Sequence, residues 1–114
     1  MAITNSTLTS SPAAVYTSVG NHAVTTVIVC NKSVYNPVNP TQNQSLLYLY
    51  AVPNNGGMIA TATDNNLIVN GLPVPAGETV TFDQEKMVLS TNDTIVGKTD
   101  SLSNLVVTVS TLAV

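Results

Sequence analysis

Apolar and polar residues alternate along much of this chain with a period of two, in short runs broken by Pro, Gly, Asn and Asp. A period of two places alternate side chains on opposite faces of a strand, so each run predicts a β-strand rather than a helix. In "ETVTFDQ" (78–84) Val80 and Phe82 fall on one face, with Thr79, Thr81 and Asp83 on the other. In "NLVVTVSTL" (104–112) Leu105, Val107 and Val109 point one way, and Thr108 and Ser110 point back. Further strands are expected in "AITNSTLTS" (2–10), "AAVYTSV" (13–19), "AVTTVIVCNK" (23–32), "SLLYLYAV" (45–52) and "NLIVN" (66–70). "KMVLS" running into "DTIVGK" (86–98) completes the set. Between them lie "SSP", "VGN", "YNPVNPTQNQ", "PNNGG", "NG", "PAG", "TND" and "KTDS". These suit turns because Gly accepts positive φ, Pro presets φ, and Asn or Asp bonds its own backbone.

Seven to eight short strands at this spacing predict an all-β fold: a single antiparallel β-sandwich, immunoglobulin-like or jelly-roll-like, formed by residues 1–114 as one domain. Composition agrees. Val and Thr, whose branched side chains suit a pleated surface, dominate the sequence.

Two runs break the alternation. In "SLLYLYAV" Leu47, Leu49 and Ala51 share one face and Leu46, Tyr48, Tyr50 and Val52 the other, so both sides are apolar. In "TTVIVCN" Val27 and Val29 oppose Ile28 and Cys30. A two-layer sandwich buries one face of each sheet, so a doubly apolar strand needs a further cover. Either the long "YNPVNPTQNQ" loop folds over it or another chain does. Tyr is enriched at interfaces, which makes Leu46, Tyr48 and Tyr50, with Tyr35 in the long loop, the candidate contact residues.

Charge sharpens that expectation. Only 8% of residues are charged, against about 25% in ordinary soluble domains, and the net charge is −3. Uncharged strand edges invite association unless a neighbour shields them, so self-association is expected. There is no arginine, and Lys32, Lys86 and Lys98 are scattered, which argues against nucleic acid as a partner. No apolar run reaches the roughly 20 residues that span a bilayer, so no membrane partner is expected. The start "MAITNSTLTS" lacks the basic and apolar regions of a signal peptide, and a leaderless product is the expectation.

The chemistry-bearing residues are few. His22 is the single histidine, which excludes two-His metal motifs, and no G-x-S-x-G turn supports a Ser-His-Asp triad. Asp83 and Glu85 would share a strand face at about 7 Å, a spacing used in glycoside hydrolysis. No Trp accompanies them to stack a sugar, and a wet hairpin tip beside Lys86 is the plainer reading. "PNNGG" lacks the Lys and helix of a phosphate loop. "TDNN" (63–66), Asp93 and Asp100 offer oxygen ligands without the spacing of a calcium loop. Cys30, the lone cysteine, is expected to be buried as a small hydrophobe. No catalytic residue, cofactor or metal ligand is assigned.

Four segments, "VYTSVGNHAVTTVIVCNKS", "LYLYAVPNNGG", "PAGETVTFDQEKMVLSTNDTIVG" and "NLVVTVSTLAV", together resemble small β-sandwich virion proteins of tailed bacteriophages. The resemblance implies a non-enzymatic virion component made in the host cytoplasm. Its partners would be the major capsid protein or other virion proteins, as a head decoration or cement protein. A neck, tail or fibre module is the alternative within the same class, and a module binding host glycans the alternative from another. Asn92 stands where the family pattern has Gly, and "KSVYNPVNPTQNQS" is longer than the usual connection, which makes that loop a place for contacts particular to this chain.

Overall fold

The computed structural model describes residues 2–54, 62–82, 87–100 and 103–114. They form nine strands: β1 (Ala2–Thr7), β2 (Ala13–Thr17), β3 (His22–Asn31), β4 (Ser45–Val52), β5 (Leu67–Val74), β6 (Thr79–Phe82), β7 (Met87–Leu89), β8 (Thr94–Lys98) and β9 (Leu105–Ala113). Among the described residues the only helical turn is the 3-10 turn Asp64–Asn66. All pairings are antiparallel. One sheet has the order β1-β9-β3-β6, with β7 also on β3, and the other the order β2-β8-β4-β5.

The two sheets close on one core. Val24, Val27, Val29, Leu105, Val107 and Val109 come from the five-stranded sheet, and Val15, Leu47, Leu49, Val74 and Ile95 from the four-stranded one. The faces are those the alternation predicts: Val80 and Phe82 pack against the core while Thr79 and Thr81 are exposed. The result is an all-β, two-layer sandwich.

The run from 86 to 98 divides at its "TND" turn as the sequence leads one to expect, and departures from expectation occur at "NG" and at Cys30. The run from 86 to 98 is two strands in different sheets, β7 against β3 and β8 between β2 and β4. The turn between them closes with the Asp93 amide donating to the Ser90 carbonyl at 3.0 Å, and Asn92 takes φ +69°. Asn tolerates this left-handed region better than any other residue except Gly. The "PAG" turn works likewise, with Gly77 at φ +77° and the Glu78 amide donating to the Pro75 carbonyl.

"NG" at 70–71 is not a turn. β5 runs through it to Val74, and Gly71, at φ +71°, is the extra residue of a bulge between the Leu47–Leu72 and Tyr48–Asn70 pairs. The Tyr48 ring lies over the missing Cβ, its Oη 3.5 Å from where that atom would sit. Bulges of this kind suit an edge strand, which β5 is.

Cys30 is half-buried rather than buried. It follows the outward-facing Ile28 along β3, and its neighbours Thr79 and Val106 flank it on the sheet's outer surface.

Gly97 in β8 permits a close approach. A Cβ there would sit 2.8 Å from Leu8 Cδ2 and 3.0 Å from Val15 Cγ2. Leu8 follows β1 where the chain leaves the five-stranded sheet, with its amide on the Leu105 carbonyl at 2.9 Å. The glycine lets this corner residue fill the core.

Candidate functional site

The doubly apolar strand β4 finds its cover within the chain. Tyr50, Val52 and Val96 form a second buried cluster on the outer side of the four-stranded sheet, with Tyr48, Ala62 and Leu67 packed against it. The described residues that cover it come from the segment before β5 and from β5 itself, not from the loop after β3. Tyr50 is 5% exposed, so its ring is already committed. Tyr48 is half-buried, with Lys98 Nζ 4.8 Å from its ring centroid. Leu46 is half-buried as well. Its carbonyl accepts from Thr99 Oγ1 at 2.7 Å and its amide donates to Asp100 Oδ2 at 3.3 Å. Of the four expected contact residues, only Tyr35 is exposed, at 49%. The strand-face residues and the loop residue do not form one site.

Tyr35 sits in a loop that is held in shape by asparagines. Asn31, 1% exposed at the end of β3, donates from Nδ2 to the carbonyls of Asn43 and Val74, both at 2.9 Å. Its Oδ1 accepts from the Ser33 amide at 3.0 Å and from Ser33 Oγ at 2.5 Å. This buried amide is fully satisfied, as a polar group in a low-dielectric interior must be. Further out, Asn36 accepts from the Val38 amide and donates to Gln42 Oε1. The Tyr35 Cβ lies near Gly77, 3.7 Å from where a glycine Cβ would stand. Val34, Tyr35 and Val38 are left exposed on this frame.

A larger surface lies on the outer face of the five-stranded sheet. None of β1, β3, β6, β7 and β9 contains Asp, Glu, Lys or Arg. Val88, Ala23 and Leu112 stand abreast on three neighbouring strands. Ile3 lies on β1 opposite Ser110, which precedes Leu112 on the same face of β9. Ile28 and Cys30 continue the apolar surface, interrupted by Thr and Ser. Val88 is 70% exposed and Ile3 69%. The sequence reading noted Ile28 and Cys30 but missed Val88, Leu112 and Ile3. Their placement depends on which strands become neighbours.

The groups considered for chemistry are tied up in structure. His22 Nδ1 lies 3.3 Å from Ser18 Oγ, the only Ser-His pair that hydrogen bonds among the described residues. Ser18 is buried and donates its one proton to the Gly20 carbonyl at 2.7 Å, so the histidine ring donates to the serine rather than activating it. Asp93 is close in the fold, but its Oδ1 accepts from the Asn54 amide and its Oδ2 from the Ser90 amide, so no triad assembles. In the 63–66 stretch, Asn66 Oδ1 accepts from the amide and the hydroxyl of Thr63 and so closes a capping turn. Asp83, Glu85 and most of "PNNGG" lie outside the described residues.

A cavity of about 450 Å³ opens between the sheets, and the described residues that line it are Val27, Leu49, Ile68, Val69, Phe82 and Met87. None carries an acid, base or nucleophile. No cluster of three or more His, Cys, Asp or Glu that could hold a metal occurs among the described residues, and no helix there is long and apolar enough to cross a membrane. No family model, curated protein or solved structure matches the chain.

Proposed function

We propose that this chain is a non-enzymatic structural protein of a bacteriophage virion, a decoration or cement protein that lies on the major capsid shell in many copies. The observation that carries the assembly role is the outer face of the five-stranded sheet, which exposes Ile3, Ile28, Val88 and Leu112 and has no charged residue in any of its strands. A broad face of exposed aliphatic side chains, interspersed with Thr and Ser and without charge, is suited to being covered by another protein. The virion setting comes from the resemblance of the four sequence segments. Fully burying each exposed aliphatic side chain is worth about 1.5–3 kcal/mol before the costs of association, so one copy binds modestly and many copies bind firmly. The asparagine-framed loop, with Val34, Tyr35 and Val38 exposed, supplies a second contact.

Quantitative mass spectrometry of purified particles tests this reading. A copy number comparable with that of the major capsid protein is expected. A few copies per particle would move the chain to the neck, tail or fibre, and absence from particles would remove the virion role. A glycan array probes the remaining class. Binding that is lost in Tyr35→Ala would make the exposed loop tyrosine a sugar contact instead.

A further inference from the structure

The four edges of the two sheets are not equally protected. β5 carries Pro73 and two register shifts along β4. β2 is interrupted by a bulge between Ala14 and Tyr16 and is preceded by Pro12. The β6/β7 edge consists of two pieces of four and three residues. Bulges, proline and short pieces are the devices by which natural sheets prevent another strand from adding to an edge. β1 has none of them. Its six residues, Ala2 to Thr7, pair with β9 from Ala2–Thr111 to Thr7–Val106 without a shift, and all are uncharged.

The hydrogen-bonding direction along β1 follows from its end. The Leu8 amide donates to the Leu105 carbonyl, and antiparallel pairs alternate between bonded and non-bonded, so Thr4 and Ser6 face β9. Ile3, Asn5 and Thr7 therefore each turn a backbone donor and an acceptor toward the outer edge, where the sheet order ends among the described residues.

We propose that β1 is a self-pairing edge. β1 of one copy adds antiparallel to β1 of a second copy about a two-fold axis at Asn5, joining two five-stranded sheets into one. In that register Ile3 bonds opposite the second copy's Thr7, and Asn5 opposite its own equivalent. Registers centred on Thr4 or Ser6 leave an end unpaired. The occupant is a second copy because the strand is self-complementary: it has no charge with which to select a different partner and none to repel itself. The axis stands normal to the sheet, so the two uncharged outer faces lie side by side on one surface. The proposal rests on strand geometry alone and stands or falls independently of the virion role.

Sedimentation equilibrium of the full chain tests it together with hydrogen exchange at several concentrations. Edge pairing buries less surface than a standard interface, so a monomer–dimer equilibrium with Kd of about 1–100 μM is expected. The amides of Ile3, Asn5 and Thr7 should slow as concentration rises, while those of Thr4 and Ser6 should be slow throughout. Asn5→Lys places like charges opposite each other and should weaken the dimer about tenfold or more. It also removes the Asn5 Oδ1 that accepts from Thr108 Oγ1 at 2.8 Å, so the monomer should show a slightly lower denaturation midpoint and stay folded. Asn5→Pro, which deletes a donor that does not face β9, should also abolish pairing. A chain that stays monomeric at about 1 mM overturns the proposal. So does a dimer that survives Asn5→Lys, or one that leaves the Ile3, Asn5 and Thr7 amides exchanging freely.

Discussion

Asn31 Nδ2 donates to the Val74 carbonyl at 2.9 Å, linking the end of β3 in one sheet to the end of β5 in the other. The same nitrogen holds the carbonyl of Asn43, at the far end of the loop that presents Tyr35. One buried side chain thus fixes both the closing of the sandwich and the base of the loop. Asn31→Ala takes a donor from the Asn43 and Val74 carbonyls and the acceptor from the Ser33 amide and hydroxyl, and should cost about 2–4 kcal/mol in chemical denaturation. Exchange of loop amides between residues 33 and 44 should rise at the same time. Asn31→Asp keeps the acceptor but buries a carboxylate oxygen against the Asn43 and Val74 carbonyls, so at neutral pH it should cost at least as much as Asn31→Ala.

Tyr50 and Tyr35 should separate cleanly. Tyr50 packs with Val52 and Val96, so Tyr50→Ala should lower stability by about 3–5 kcal/mol in the isolated protein. Tyr35 is exposed, and Tyr35→Ala should leave stability within about 0.5 kcal/mol while affecting whatever the loop contacts. Urea denaturation of the two variants reads both outcomes. Equal, negligible effects would mean that Tyr50 is not covered by its own chain.

Asn92 at φ +69° makes a backbone prediction. Asn92→Gly should be neutral or slightly stabilising. Asn92→Val, β-branched in the left-handed region, should cost about 1–2 kcal/mol or more. Thermal melts decide it. The loss should appear as faster exchange at Ser18 and Ser90, because the Ser18 amide donates to the Asp93 carbonyl and the Ser90 amide to Asp93 Oδ2.

Gly97 tests the packing at the corner. Gly97→Ala drives a methyl into Leu8 and Val15 and should cost about 1–3 kcal/mol. Leu8→Ala alone opens a cavity. Combined, the two changes partly compensate, so the double variant should be more stable than the sum of the singles by about 1 kcal/mol, read from a double-mutant cycle.

Most of the sandwich was legible because alternation and turn chemistry agree. β4 occupies the predicted span, and the "PAG" and "TND" turns form where Gly77 and Asn92 allow positive φ. What was not legible depended on pairing. "NG" at 70–71 has the composition of a turn, but on an edge strand beside Tyr48 it becomes a bulge. The doubly apolar face of β4 was correctly seen to need a cover. Sequence alone could not say that Ala62 and Leu67 would supply part of it. The uncharged face containing Val88, Ala23 and Leu112 is assembled from strands far apart in the chain, and no local pattern reveals that they become neighbours.

The central claim is that the uncharged outer face of the five-stranded sheet is a contact surface in an assembly. Its most direct test is the double variant Val88→Lys, Leu112→Lys, both at exposed positions, added to phage heads prepared without the protein. The account predicts an unfolding free energy within about 0.5 kcal/mol of the wild type and loss of head binding in a sedimentation assay. Binding at the wild-type level, with lysines seated in the middle of that face, would contradict it.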